Sequence, residues 1–468
     1  MKLPFLDREA ESARLRRFFG RPEASLAAVY GRRRTGKSRL LREVLPAERT
    51  VYYVADDRDA SLQRVGLAQE IDRELPGFGR VLYPDWDALL QRWWYQAPAG
   101  SVLAIDEFPA LVAQAPELPS LLQKRLDRQD TAGPHLVLTG SSQRMMLGLV
   151  LDRSAPLFGR AAEILRLLPL EAGWLRRALA LEDDARVIES WAVWGGIPRY
   201  WELAADFPDL TRAVRELILS PLGVLHEEPA TLLLDDLRET TQAASILSLV
   251  GRGCHRLSEI AGRLGKPATS LSRPMQRLLE LGLVRRDLPW GTSTRDAKRT
   301  LYRIADPFLR FWFAFVEPER SRLEAGQVDA VALKIWGSFS HHVASHWEEL
   351  VRASIPRGEW LGRRWKPAAS WWGAGTDGKP VEFDVVAESE DETALLVGEV
   401  KWGMKADVAR LTAELRARAA RLPTTAGRTL CLGLWLERPP ARSTGDGVGV
   451  FSPTEVLGYL GGDVASRE

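Results

Sequence analysis

Residues 31–38 read GRRRTGKS, a full match to the pattern G-x-x-x-x-G-K-[ST], and few sequence features restrict a fold so tightly. Before it stands LAAVY (26–30), an apolar run of strand length. After it comes SRLLREVL, with Leu40, Leu41, Val44 and Leu45 at helical spacing. Strand, glycine loop and helix in that order make a phosphate cradle. The loop N–H groups face the α- and β-phosphates, and the helix N-terminus adds its positive dipole end. Gly31, Arg34, Thr35, Gly36, Lys37, Ser38 and Arg39 are the candidate lining of an ATP site. Lys37 can reach the β- and γ-phosphates, and the Ser38 hydroxyl can hold Mg²⁺. A merely structural Gly-rich turn gives no reason for a lysine and a serine at the helix start.

Such a site needs a carboxylate on the metal side. In SVLAIDEFPAL (101–111) an apolar run from Val102 to Ile105 ends in Asp106 and Glu107. A buried parallel strand reads as a run of this kind, and ligands sit at its carboxyl end. Asp106 is a candidate Mg²⁺ holder. Glu107, with Lys37, is a candidate catalytic residue that polarises the attacking water. The alternative is that both acids cap the next element. HLVLTGSS (135–142) is a further apolar run, ending in Thr139, Ser141 and Ser142. Either serine could sense the γ-phosphate, or Gly140-Ser141-Ser142 is only a turn. Arg160, in LFGRAAEILRL (157–167), could contact the γ-phosphate in cis, or in trans within a homo-oligomer. A solvated arginine is the commoner fate.

On FLDRE (5–9), GRRRTGKS, the IDEFPAL block, LTGSS, FGR (158–160) and WGGIPRYWEL (194–203), the chain resembles the archaeal-type P-loop ATPases of prokaryotes, in the broad AAA+/STAND clade. The block containing Gly195, Gly196, Ile197 and Pro198 is particular to that family. The resemblance runs to the C-terminus and covers most of the chain. It departs at Asp7, where the family commonly has glycine before the Arg-Glu pair, and this weakens any carry-over of adenine-pocket roles to that segment.

The balance of 64 basic against 62 acidic residues excludes a histone-like protein and an acidic tail, so nucleic-acid binding has to rest on local patches. Cys254 and Cys431 have no metal-ligand or disulfide spacing. The start, MKLPFLDREAES, has no apolar signal core, and no run approaches eighteen apolar residues, so a cytoplasmic protein without membrane partners is expected. The 17 tryptophans are scattered and are expected in cores.

Helical stretches with charged faces fill 161–235, as a lid on the nucleotide core would. Residues 244–289 then have winged helix-turn-helix grammar: ILSLV, LSEIAGRLG ending at Gly265, a turn at Lys266-Pro267, and ATSLSRPMQRLLELG as recognition helix. LVRRD and TLYRI would be the wing strands. Arg285, Arg286, Arg295, Lys298, Arg299 and Arg303 outnumber Asp287 and Asp296 there, a local excess suited to DNA phosphates. Ser270, Ser272, Arg273 and Arg277 could reach bases or phosphates. Pro274 predicts a late start or a kink, since an interior proline costs ~3 kcal/mol. Winged helices also serve as protein–protein modules.

In the last third, VEFDVVA (381–387) and TALLVGEVKW (393–402) give Asp384 and, fifteen residues on, Glu399-Val400-Lys401. Period-two geometry puts Glu399 and Lys401 on one strand face, roughly 7 Å apart. Asp384, Glu399 and Glu348, the last in HWEELVRA (346–353), are candidate Mg²⁺ ligands. Lys401 would orient water or stabilise a pentacovalent phosphate. This resembles the PD-(D/E)xK, restriction-endonuclease-like fold, which recurs at the C-terminus of the same ATPase family. Glu382 precedes Asp384 by two, with no proline immediately before the aspartate. Arg363, Arg364 and Lys366 beside Trp365, Trp371 and Trp372 fit a nucleic-acid surface or aromatic packing under solvated charge.

The expected fold is α/β: a P-loop parallel sheet over 1–160, a helical lid over 161–235, a winged helix over 236–310 and a nuclease-like α/β domain over 311–468. The expected function is a Mg²⁺-dependent ATPase whose nucleotide state controls a DNA-contacting winged helix and nuclease-like domain. The alternative is a nucleotide-switched scaffold that binds a protein partner and carries an inactive nuclease fold.

Overall fold

The structure, a computed structural model, describes residues 3–127, 133–237, 240–293, 299–403, 407–423, 427–440 and 447–461. Two compact units divide the chain: residues 5–169 with 234–238, and residues 1–4 and 170–233 with 239–468.

In the first unit the strands β1 (Leu26–Tyr30), β2 (Thr50–Val54), β3 (Val102–Asp106), β4 (His135–Gly140) and β5 (Ala161–Arg166) form one parallel sheet, in the order β2-β3-β4-β1-β5. Every residue of β1, β3 and β4 is buried, which explains their unbroken apolar runs. Leu15, Phe18, Leu40 and Leu41 belong to one apolar cluster, and Trp86, Leu90, Trp93 and Phe108 to another. Because all five strands run the same way, Tyr30, Asp106 and Gly140 end on one edge of the sheet, where an open α/β sheet holds its ligand.

Strand β5 corrects the boundary read at 160. AAEILR was expected to open a helical lid, but it pairs along β1 from Leu26↔Ala161 to Tyr30↔Arg166. Backbone pairing with a buried neighbour overrides the weak strand propensity of Ala-Ala-Glu. The helical stretch expected as a lid starts only after Pro169, with helices Trp174–Ala178, Asp184–Trp194, Pro198–Ala204 and Leu210–Val214. The WGGIP block joins the second of these helices to the third. Gly195 ends one helix at φ 56, and its carbonyl accepts the Trp201 indole at 2.7 Å.

Helices Thr240–Gly251, Leu257–Arg263 and Ala268–Glu280 precede two antiparallel strands, β6 (Val284–Asp287) and β7 (Leu301–Ile304). This is the expected winged arrangement. The third helix does not start late: it begins at Ala268 and runs through Pro274. Leu271, Met275 and Leu278 are buried along one face, and their burial at ~1.5–3 kcal/mol each outweighs the hydrogen bond lost at proline.

The C-terminal part starts on the long helix Val328–Ser354. A short hairpin follows, β8 (Glu359–Trp360) and β9 (Arg363–Arg364), and then β10 (Ala369–Ala374), β11 (Pro380–Glu388), β12 (Ala394–Lys401), helix Val408–Ala419, β13 (Thr429–Leu436) and β14 (Val448–Phe451). The strands β10 to β14 lie in sequential order. β10, β11 and β12 are an antiparallel meander, while β13 and β14 continue parallel to β12. The helix between β12 and β13 supplies the crossover that parallel pairing requires. Tryptophan went inside as expected: Trp86, Trp93, Trp194, Trp201, Trp347, Trp360, Trp365 and Trp435 are each under 2% exposed. Among the described residues, no helix is long and apolar enough to cross a membrane.

Candidate nucleotide site and C-terminal acid cluster

The phosphate loop leaves β1 at Gly31, where an added Cβ would stand 2.4 Å from the Leu167 carbonyl oxygen, so no other residue fits. Gly36 then turns at φ 93 into helix Lys37–Val44, which starts without a side-chain cap. Lys37 is 5% exposed, and its ammonium donates to the Gly31 and Arg32 carbonyls at 3.0 and 3.2 Å. Thr35 Oγ1 donates to Arg32 O at 2.7 Å, and Arg8 braces the loop from below through Thr35 O (3.4 Å) and Leu168 O (2.7 Å). Arg34 has a left-handed backbone (φ 66), and Arg39 lies over the Phe5 ring, 5.9 Å from its centroid.

Asp106 is the most heavily held carboxylate of this edge. Oδ2 accepts from Ser38 Oγ (2.6 Å) and Tyr52 OH (2.5 Å); Oδ1 accepts from Thr139 Oγ1 (3.0 Å) and the Glu107 N–H (3.0 Å). Burial first, and then the bond to Asp106, push the Tyr52 phenol far above its ordinary range, so it stays a donor. Tyr52 was missed in the sequence; its signal was its place in TVYYV (50–54), on the strand paired with β3. Glu107 has φ 54, a left-handed conformation that costs a non-glycine residue roughly 1–2 kcal/mol. Its Oε2 accepts from both the backbone N–H (3.1 Å) and Oγ (2.9 Å) of Ser141. The serine thus holds the glutamate. An oxygen-only pair such as Ser38 and Asp106 suits Mg²⁺, which keeps several of its waters.

Arg160 is elsewhere. It precedes the first residue of β5, which pairs with the first residue of β1, so it lies at the amino edge of a parallel sheet whose phosphate loop is at the carboxyl edge. Five residues of strand, ~3.3 Å each, separate the two. It makes a two-pronged pair with Asp127 at 2.7 and 2.9 Å. A contact in cis with the γ-phosphate is excluded by that position.

The C-terminal acids converge from three elements. Asp384 on β11 stands one step beyond the Val385↔Gly398 pair, opposite Glu399 on β12. Its Oδ2 accepts the Val400 N–H at 2.9 Å. Burial, then the charges of Glu348 and Glu399, push its carboxyl up to about 7. Glu348, on the long helix, is also raised by burial, and it lies 3.6 Å from Arg352, which donates to Asp384 O at 2.8 Å. Carboxyls that repel one another in this way fit a cation. An Asp384–Glu399 pair was expected, with Glu348 as a further ligand or an acceptor from a metal-bound water; the three acids do not bring their ligand oxygens all within 4.8 Å of one another. The cause is visible: Glu399 is ion-paired to Lys401 through Oε1 and to Arg418 through Oε2 (2.5 Å). Arg418, on helix Val408–Ala419, was not foreseen from sequence.

The four described wing arginines are engaged within the chain. Arg285 pairs with Asp287 and Glu349, Arg303 pairs with Asp287 (3.0 Å), Arg286 donates to Thr300 Oγ1 (3.0 Å) and Arg299 to Trp372 O. Burial tends to push the Glu349 carboxyl up, but Arg285 and Arg310 outweigh it and hold it well below the usual range. Arg295 and Lys298 lie outside the described residues. On the recognition helix Ser270, Ser272 and Arg273 are exposed and Arg277 is half-buried. Around Trp365 the structure supports the packing reading. Trp365 and Trp371 are buried, Lys366 pairs with Glu388 and Glu392, and Arg363 with Asp391.

A five-stranded parallel sheet, a glycine loop feeding a helix and an acid-ended neighbouring strand define a P-loop NTPase fold. Residues 5–203 match the model of an ATPase domain predominantly from Archaea; residues 241–288 match the IclR helix-turn-helix domain, and residues 312–411 match archaeal and bacterial proteins of unknown function. An uncharacterized protein of Methanocaldococcus jannaschii is 26% identical over 404 residues, covering 85% of this chain and 87% of that protein. Among solved structures, the Walker-type ATPase of Pyrococcus abyssi is 20% identical with a TM-score of 0.49, over 66% of this chain and 96% of that one. The ORC2 protein of Aeropyrum pernix is 15% identical with a TM-score of 0.46, over 72% and 97%.

Proposed function

We propose that the chain is a Mg²⁺-dependent ATPase whose nucleotide state governs a DNA-contacting helix-turn-helix and a nuclease-like domain. The observation that carries the first half is the convergence of Lys37, Ser38, Asp106 and Glu107 on one sheet edge. Lys37 leaves the loop carbonyls for the β- and γ-phosphates. Mg²⁺, held by Ser38 and Asp106, would neutralise charge on those phosphates. Glu107 takes a proton from the attacking water once Ser141 turns from it to the γ-phosphate, which makes Ser141 a latch on the general base. Lys37→Ala should abolish ATP binding or turnover. Glu107→Gln should keep binding and lose hydrolysis, because Asp106 and Ser38 are untouched. Phosphate release measured beside nucleotide titration separates the two; unchanged turnover in both variants would remove this site from the reaction.

The second half rests on the exposed Ser270, Ser272 and Arg273 and on Asp384 and Glu399–Lys401 lying on the paired strands β11 and β12, in the D…ExK pattern of the PD-(D/E)xK fold. Mg²⁺ there would be held by Asp384 and Glu399 with Glu348 behind them, and Lys401 would face the scissile phosphate. The wing arginines favour the competing reading, a nucleotide-switched scaffold with a protein partner, because their charges are engaged inside the chain. DNA titrations at several salt concentrations separate the readings: phosphate contacts give a steep log–log slope, and a flat one supports the scaffold.

A further inference from the structure

His226, just before helix Glu228–Asp236, is 1% exposed. Its Nδ1 lies 2.8 Å from the carbonyl oxygen of Ile218. A carbonyl can only accept, so Nδ1 carries a proton, and in the neutral ring it is Nε2 that presents a lone pair. Ile218 sits in the π-helical turn Arg215–Leu219, a local geometry often found at functional sites. Among the described residues Nε2 has no hydrogen-bond partner, although it is buried. It is aimed at Glu324, at the end of helix Arg320–Glu324, with 3.7 Å to Oε1. That is too long for a hydrogen bond. It is close to the ~3.4 Å that separates two ligands of a tetrahedral ion with bonds of ~2.1 Å. Glu227 supplies a third donor, and one ligand atom from each of His226, Glu227 and Glu324 lies within 4.8 Å of the others.

We infer that His226, Glu227 and Glu324 form a site for a transition-metal dication of the Zn²⁺ class. One imidazole and two carboxylates give nitrogen-plus-oxygen coordination that Zn²⁺ accepts and that Mg²⁺ and Ca²⁺, which prefer oxygen alone, do not. The Nδ1–H bond to a backbone carbonyl is the outer-shell contact that fixes the tautomer and orientation of a metal-binding histidine. Glu227 is ion-paired to Arg320, and both side chains are 48% exposed. Such an exposed pair is weak, so an incoming ion displaces the arginine. Three protein ligands leave a fourth position for water. The ion ties the start of one helix to the end of another almost a hundred residues later, just before the long helix of the C-terminal part.

The test uses the full chain, freed of metal by chelation and kept in excess Mg²⁺ so that oxygen-only sites are filled. Zn²⁺ is titrated against a chromophoric chelator, and the Zn²⁺ K-edge absorption spectrum of the loaded protein is recorded. The expected result is a single saturable Zn²⁺ with an imidazole nitrogen and oxygens at ~2.0–2.2 Å. Glu324→Gln, a half-exposed change at a helix end, should weaken it at least about tenfold. His226→Gln should abolish it, and Arg320→Ala should tighten it by removing the competing cation. Equal Zn²⁺ affinity in the parent and Glu324→Gln overturns the site. So does a spectrum without imidazole, which would leave His226 and Glu324 as an imidazolium–carboxylate contact.

Discussion

Replacing His346 by methionine tests how the long helix is held. The His346 ring is 1% exposed, and neither of its nitrogens has a hydrogen-bond partner among the described residues. The ring stands 4.7 Å from that of His342, which pairs with Ala192 O at 2.9 Å. Burial, and then the charge of Arg310, hold His346 well below the ordinary imidazole range. Burial lowers His342 to about 3. Both bases are neutral in the fold and protonate near 6.5 when unfolded. A depressed base contributes its stability in full above the unfolded value and loses it as pH falls toward the folded one. At pH 5 the unfolded state gains about 2 kcal/mol from each histidine, so the pair costs the fold about 4 kcal/mol between pH 7.5 and pH 5. Methionine matches the ring in volume and leaves no unpaired nitrogen. The variant should gain about 1–2 kcal/mol at pH 7.5 and lose about half as much as the parent on acidification. Hydrogen exchange of amides along Val328–Ser354 reads the opening free energy of this helix directly. An equal acid loss in parent and variant would refute the reasoning, as would a variant less stable at pH 7.5.

Glu107→Gly should stop hydrolysis yet stabilise the first unit by about 1 kcal/mol relative to Glu107→Ala, because only glycine relaxes at φ 54; denaturant midpoints of the two variants show it. Arg285→Ala should lower the stability of the second unit by ~1–3 kcal/mol, because half-buried Glu349 loses one of its two guanidinium partners and keeps Arg310, while Arg273→Ala should leave stability unchanged and reduce the DNA salt slope by about one. If Arg285→Ala instead flattens the salt slope at constant stability, the wing reading from sequence was right. If the C-terminal domain cuts DNA with Mg²⁺, Asp384→Ala and Glu399→Ala should each abolish the cutting without changing any ATP hydrolysis by the parent; no cutting by the parent under any metal or nucleotide condition would leave the domain a scaffold.

The nucleotide site was legible because its parts are contiguous. GRRRTGKS and AIDE each hold loop, helix start or strand end within a few residues, and the parallel sheet then brings Ser38 to Asp106. At Asp7 the backbone stands at φ 45, a conformation glycine adopts freely, so the family's glycine suits this position better than the aspartate found here. What failed depended on register. AAEILR reads as neither strand nor helix by period, and only its pairing with β1 decides. Once that strand is placed, Arg160 falls on the wrong edge of the sheet. Sequence could give Arg160 a neighbouring motif but not an edge.

The wing shows the same limit for charge. Counting arginines over 285–303 gave a basic surface, because a count assigns no partners. The partners are on other elements: Glu349 lies 64 residues from Arg285 and also takes Arg310 at 2.7 Å. Helical geometry explains why one turn serves two roles. Glu348 and Glu349 are adjacent on Val328–Ser354 and so diverge by about 100° around its axis. Glu348 raises the Asp384 carboxyl by its charge, while Glu349 takes the wing arginine. A single step along this helix therefore separates a carboxylate of the acid cluster from the anchor of the winged helix. The half-buried Arg285–Glu349–Arg310 contact ties the wing to the long helix, and the recognition helix keeps the exposed side chains that a nucleic-acid or protein partner would meet.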